Sequence, residues 1–316
     1  MTLRDEARSK LMAYQGRTGL SLGQVAIRMG MARRSVVQFA SSARYGGGDG
    51  EQTAKNILAF IEEHPPHAPK LPGRLYLTEN VRIIDEMIES AREGLWSLIY
   101  GPPATQKSFV FKYRFAESCQ KHLPPTIALI YASASLSPTA FMRKVSIAFG
   151  VYALGSFDNL RNEVIEMLKD RTPKPVLIID EAQHLARQQT TLEIIREIGD
   201  EAEIGLIIAG HDNLKGTLFA ANGSLKEYWL SRIPAERRLP GLQDEEVKEI
   251  VRQEMGIQSD AMLGKILKAC AADYAGQYYL SPRRLDHILN ELAERRSSRT
   301  GRVDAAIRTT QQLREA

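Results

Sequence analysis

At 316 residues, 43% of them hydrophobic and 25% charged, the chain has the composition of a soluble globular protein with room for two or three domains. Its two cysteines, Cys119 and Cys270, lie far apart, which excludes a disulfide framework or a cysteine metal site and predicts two buried small side chains. The start, Met1-Thr-Leu-Arg-Asp-Glu-Ala-Arg8, has no apolar segment and no run approaches 18 apolar residues, so a cytosolic location is expected.

The formal net charge is only +4, but it is unevenly placed. Residues 1–48 carry Arg4, Arg8, Lys10, Arg17, Arg28, Arg33, Arg34 and Arg44 against Asp5 and Glu6, an imbalance that suits a polyanion. The pattern predicts a helix over 22–29, a break at Gly30 and a second helix over 32–40. Ala26, Gly30 and Val36 have the spacing of a helix-turn-helix: a small packing residue, a tight turn and a β-branched pin. Arg33, Arg34 and Gln38 would then lie on the recognition face as candidate DNA contacts. A protein-docking module is the alternative reading of this block.

After a glycine-rich turn at Gly46–Gly50, an amphipathic helix carries Ala54, Ile57, Leu58 and Ile61 on one face. The proline-rich stretch 65–73 reads as a linker, with His64 and His67 as solvent residues. From residue 74 helices and strands alternate, which implies a parallel sheet. Strands are expected at 95–100, 126–131, 175–180, 205–209 and 235–239. Helices are expected near 80–92, 108–121, 138–149, 157–170 and 190–202. Beyond Leu242 no strand is expected, and helices near 243–254, 260–272, 282–296 and 303–314 suggest a helical lid. The fold class is therefore α/β, a P-loop core at 74–241 between a helical domain at 1–64 and a lid at 242–316.

Two motifs carry the chemistry. Gly101-Pro-Pro-Ala-Thr-Gln-Lys-Ser108 follows an apolar strand and precedes a helix, the context of a phosphate-binding P-loop. Gly101, Pro102, Pro103, Ala104, Thr105 and Gln106 would form the loop around the phosphates of ATP. Lys107 would reach the β/γ-phosphates, and Ser108 would place its hydroxyl on Mg²⁺. Gln106 stands where the pattern G-x-x-x-x-G-K-[ST] has its second glycine; its amide could bond phosphate or a neighbour, and hydrolysis could be slow. Pro175-Val-Leu-Ile-Ile-Asp-Glu181 is a buried strand ending in two carboxylates. Asp180 would hold the Mg²⁺ shell and Glu181 would polarise the attacking water.

Together with a late arginine and a helical C-terminal region, these motifs resemble the AAA+ ATPases. Nearly the whole chain resembles the phage Mu B transposition protein family, the ATPase subunits of DNA transposition systems. The shared features are the N-terminal helix pair with a Tyr45-Gly-Gly-Gly turn, Leu75-Tyr-Leu-Thr78, Asp180-Glu-Ala-Gln-His-Leu185 and Ile204-Gly-Leu-Ile-Ile-Ala-Gly210. The resemblance implies a polar sensor at His211, with Asn213 as substitute. It implies a trans-acting arginine at Arg232, with Arg237 and Arg238 as competitors, and a second sensor at Arg284 in preference to Arg283. It further implies assembly as a homo-oligomer or filament on double-stranded DNA and recruitment or activation of a transposase. A helicase loader, or a nucleotide-switched transcriptional regulator, would share many of these features.

Overall fold

The computed structural model describes residues 2–18, 20–41, 50–64, 69–122, 124–150, 156–218, 223–274 and 276–294, together with Val303, Ala306 and Ile307. The Tyr45-Gly-Gly-Gly turn, Arg44, His67 and most of the expected helix 303–314 lie outside the described residues.

Four helices open the chain: α1 (Leu3–Thr18), α2 (Leu22–Arg28), α3 (Arg33–Ser41) and α4 (Gly50–Glu63). They enclose a core built on Leu11, Tyr14, Val36, Phe39, Ile57 and Phe60. A capping box starts α2: Gln24 N–H donates to Ser21 Oγ at 3.3 Å, and Ser21 N–H donates to Gln24 Oε1 at 2.8 Å. Gly30, at φ 64°, ends it, with Met31 N–H donating to the Ala26 carbonyl at 2.9 Å. Arg8, counted above with the basic residues, is buried instead; its Nε donates to the Phe39 carbonyl at 2.8 Å and its guanidinium lies over the Phe39 ring.

The α/β region follows as α5 (Glu79–Arg92), β1 (Trp96–Tyr100), α6 (Lys107–Lys121), β2 (Ile127–Tyr131), α7 (Pro138–Ala148), α8 (Phe157–Lys169), β3 (Val176–Asp180), α9 (Gln189–Glu201), β4 (Gly205–Gly210), α10 (Leu214–Leu218), α11 (Gly223–Arg232) and β5 (Ala235–Arg238). All five strands are parallel in the order β2-β3-β4-β1-β5. β3 and β4 are buried along their whole length, as continuous apolar strands covered on both faces should be. One core cluster centres on Leu98, Phe141, Leu177, Leu206 and Trp229. A second, around Val81, Ile84, Ile99, Phe111 and Ile207, fills the opposite face. The helical block reaches this core through α1, whose Gly16 faces the end of α7: a Cβ there would stand 2.4 Å from the Ile147 carbonyl oxygen. Only glycine permits that approach.

The final elements are α12 (Asp244–Met255), α13 (Asp260–Cys270), β6 (Ala271–Tyr274), β7 (Gln277–Leu280) and α14 (Pro282–Glu294). The antiparallel β6–β7 hairpin corrects the expectation that strands end at Leu242. Each strand has four residues, too few to show a period. Tertiary pairing holds the hairpin instead, with Leu242 N–H donating to the Leu280 carbonyl at 3.0 Å and Ser281 N–H to the Cys270 carbonyl at 2.9 Å. Cys119 and Cys270 are both buried. No helix among the described residues is long and apolar enough to cross a membrane.

Candidate nucleotide-binding site

The P-loop joins β1 to α6, so its residues meet the N-terminal turn of α6 at the C-terminal edge of the sheet. Ala104 and Gln106 adopt left-handed backbone conformations, φ 61° and 68°. For non-glycine residues this costs roughly 1–2 kcal/mol each. Gln106 thus does occupy a glycine-type position, and its side chain is held: Thr78 Oγ1 donates to Gln106 Oε1 at 3.3 Å. Asn80 Nδ2 supports the next residue back by donating to the Thr105 carbonyl at 3.2 Å.

Lys107 curls into the loop. Its Nζ donates to the carbonyls of Gly101 and Pro102 at 2.9 and 3.0 Å and to Thr105 Oγ1 at 2.9 Å. Burial pushes its pKa down to about 8, opposed by the carboxylates of Asp180, Glu181 and Asp212. Ser108 Oγ donates to Asp180 Oδ2 at 2.5 Å, and Glu181 N–H donates to Asp180 Oδ1 at 2.9 Å. Asp180 is fully buried, and desolvation raises its pKa despite those bonds. Glu181 follows it in a left-handed conformation, φ 56°, with Gln183 Nε2 donating to its carboxylate. Strained backbone of this kind gathers where a side chain must be aimed.

A cleft of ≈ 640 Å³ opens from the loop toward the C-terminal elements. Residues 103–109 and Glu181 line it, and so do the apolar side chains of Tyr76, Leu242, Ile250, Leu285 and Leu289. Pro72 and Gly73, the end of the expected linker, also line it. Of the arginine pair on α14, Arg283 lines the cleft and Arg284 is not among its lining residues; burial raises the pKa values of Cys270 and Tyr279, and the charge of Arg284 near both opposes that rise. Tyr279 on β7 reaches the loop itself, its hydroxyl donating to the Pro103 carbonyl at 2.9 Å. No sequence pattern announces that contact, because it depends on a hairpin too short to show a period.

His211 closes the turn after β4: its Nδ1 accepts from Asn213 N–H at 3.1 Å. The next residue, Asp212, pairs with Arg238 at 2.7 Å, a link no motif announced. Arg232 on α11 is tied within the chain to Asp200 of α9, Nε to both carboxylate oxygens at 2.7 and 2.9 Å. Arg33, Arg34 and Gln38 are exposed on α3, far along the chain from the cleft, and Arg28 is exposed beside them on α2.

The fold is matched by comparison with known proteins. Residues 91–218 match the family model described as an AAA domain, a span that includes the P-loop and the Asp180-Glu181 strand end. The ORC2 protein of Aeropyrum pernix superposes with a TM-score of 0.53 at 16% identity, over 76% of this chain and 69% of that one. The chain has the AAA+ P-loop fold. Two further AAA+ likenesses are weaker: DnaA of Aquifex aeolicus, bound to AMPPCP (TM-score 0.47, 16% identity, 70% of this chain), and the ORC1 protein of Aeropyrum pernix in complex with DNA (0.48, 21%, 73%). The chain spans 63% and 65% of the lengths of those two. A search of curated proteins gives no match.

Proposed function

We propose that this chain is an ATP-dependent DNA-binding protein that assembles on target DNA and recruits or activates a transposase. The observation that carries the nucleotide part is the convergence of Lys107, Ser108 and Glu181 on one cleft, with the buried Asp180 bonded to Ser108 behind it. The residues fit magnesium–ATP: a hard cation takes hydroxyl and carboxylate oxygens, and triphosphate takes an ammonium beside a helix N-terminus. Ser108 and Asp180 would hold Mg²⁺, which when bound neutralises charge on the phosphates. Lys107, turned from the Gly101 and Pro102 carbonyls, binds phosphate oxygen. Glu181 accepts a proton from water at its carboxylate, with Gln183 holding that carboxylate in place. The apolar side chains that line the cleft would exclude water around a base, and Arg283 adds a cation to the lining.

The DNA part is supported by the exposed cations Arg28, Arg33 and Arg34 around the α2–α3 turn. Such contacts bind phosphates, tolerate many sequences and weaken with salt. ATP bound between subunits would favour assembly, and its loss would favour disassembly. The transposase partner rests on the sequence resemblance to the Mu B family; the domain limits 1–64, 65–73, 74–241 and 242–316 rest on the proline-rich linker and on the change from alternating helices and strands to helices alone.

The decisive experiment is nucleotide titration of Lys107→Ala, expected to abolish ATP binding, beside Glu181→Gln, expected to bind ATP and hydrolyse it slowly. Equal ATP binding by Lys107→Ala and the parent would end the P-loop reading. For DNA, Arg33→Ala/Arg34→Ala should lower the log–log salt slope by up to about 2, at roughly 0.9 per phosphate contact. An unchanged slope would make the helical block a protein-docking module. Electron microscopy with duplex DNA, with and without ATP, separates sequence-indifferent coating from the operator-like binding of a transcriptional regulator.

A further inference from the structure

β5 carries Arg238 to the base of the P-loop. Parallel pairing sets Arg238 opposite Tyr100, the residue before Gly101, and the next residue, Leu239, donates its N–H to the Tyr100 carbonyl at 2.8 Å. From there the guanidinium reaches two other segments. Its Nε and an Nη donate to the two oxygens of Asp212 at 2.7 and 3.1 Å, in the loop after β4. The same Nη donates to Gln277 Oε1 at 2.6 Å, at the start of β7. Two residues along that strand, Tyr279 is bonded to Pro103 in the loop. One side chain therefore joins the strand beside the phosphate loop, the turn after β4 and the hairpin that touches the loop's far side.

The charges are arranged to respond to phosphate. Lys107 lies within the fields of both Asp212 and Arg238, which act on it with opposite sign. A γ-phosphate held by Lys107 would repel the Asp212 carboxylate and attract the Arg238 guanidinium. The Arg238–Asp212 pair is partly solvent-exposed, which leaves the guanidinium open to a second anion. Arginine keeps its charge throughout and meets phosphate and carboxylate with the same planar fork.

We propose that Arg238 reports the phosphate state of the nucleotide to the β6–β7 hairpin within a single chain, by exchanging the Asp212 carboxylate for a γ-phosphate oxygen. Gln277 is the hairpin's side of the link. The proposal rests on the nucleotide reading above and assigns Arg238 a role distinct from an arginine that acts on a neighbouring subunit. Because it is internal, its effect does not depend on protein concentration.

Hydrogen–deuterium exchange of residues 271–280 in the full chain tests it, with AMPPCP and with ADP, each with Mg²⁺, at two protein concentrations. The parent hairpin should exchange differently in the two nucleotide states, to the same extent at both concentrations. In Arg238→Gln the two states should become indistinguishable, and the preference for AMPPCP over ADP should fall about five- to tenfold. Asp212→Asn should speed hairpin exchange without any nucleotide, because it weakens the pair that holds Arg238. Gln277→Ala should lose the hairpin response while keeping the AMPPCP preference, and it carries the test should Arg238→Gln fail to fold. A hairpin that responds equally in the parent, Arg238→Gln and Gln277→Ala overturns the proposal, and so does a parent hairpin blind to the two nucleotides it binds. A parent that binds neither nucleotide overturns the P-loop reading and the proposal together.

Discussion

The Ser108 hydroxyl donates to Oδ2 of Asp180 at 2.5 Å, closing the start of α6 onto the end of β3 through two side chains that a Mg²⁺ ion would share. The carboxylate is fully buried and its pKa is raised by desolvation. For an acid raised in the folded chain, stability is greatest at low pH and declines as pH rises through the folded pKa. Asp180→Asn should therefore melt higher than the parent at pH 7 without nucleotide, with the gap closing toward pH 4. The same change should remove the stabilisation that Mg²⁺–ATP confers. Thermal unfolding with and without Mg²⁺–ATP measures both, and a lower melting temperature at pH 7 would show that the carboxylate's bonds outweigh its burial.

Lys107 gives a second pH signature. Burial pushes its pKa to about 8 from an ordinary value of 10.5, so above about pH 8 the folded chain sheds a proton that the unfolded chain keeps. Stability without nucleotide should rise from pH 8 toward 10.5 on this account. ATP affinity should fall over the first part of that range, by about tenfold per pH unit, because the phosphate requires the ammonium. Isothermal titration between pH 7 and 9.5 checks this, and an affinity flat across the series would remove Lys107 from the phosphate site.

Gln106 sets a strained backbone against a side-chain bond. Gln106→Gly relieves roughly 1–2 kcal/mol of left-handed strain but loses the Thr78 bond, worth about 0.5–1.5 kcal/mol, and adds chain entropy to the unfolded state. Its net effect should lie within about 1 kcal/mol of zero. Gln106→Ala keeps the strain and loses the bond, so it should be destabilised by about 1 kcal/mol. Urea unfolding of both variants tests the order, and alanine equal to glutamine would mean that the Thr78 contact contributes nothing. Fluorescent-nucleotide titration of the glycine variant decides whether the amide also serves ATP.

Arg232 is bound to Asp200 within its own chain, which offers it a resting partner and leaves its trans role to a functional test. As a half-exposed ion pair, this contact should contribute no more than about 1 kcal/mol, so Arg232→Ala should fold normally. Alone, Arg232→Ala and Lys107→Ala should each be nearly inactive in ATP hydrolysis. Mixed, they should recover part of the activity, since one supplies an intact P-loop and the other an intact arginine. Co-assembly without recovery would assign Arg232 a structural role.

The central strands and the helices α5 to α9 were legible because β2, β3 and β4 are apolar runs and those helices repeat at the helical period; α10 and α11, between β4 and β5, are short and were not among the helices expected. The observed strand limits fall within one residue of those expected. Gly101–Ser108 and Asp180-Glu181 could be picked out as candidates because each motif lies in contiguous residues. What escaped were contacts between distant segments. Thr78 with Gln106, Asp212 with Arg238, Gln277 with Arg238, and Tyr279 with Pro103 each join residues more than 20 positions apart by one or two polar bonds. Such bonds leave no period and no spacing. Arg8 escaped for a related reason: charge counting assumes exposure, and the Phe39 carbonyl and ring gave its guanidinium a buried seat.

β5, the border of the five-stranded sheet, consists of Ala235-Glu-Arg-Arg238, so three of its four side chains carry charge. A short, charged rim resists the addition of a foreign strand. Growth by sheet extension, the route by which folded chains fuse into aggregates, is blocked on that side. Copies crowded along a common polymer would have to join through helices and loops, where each contact can be made and undone without opening the sheet.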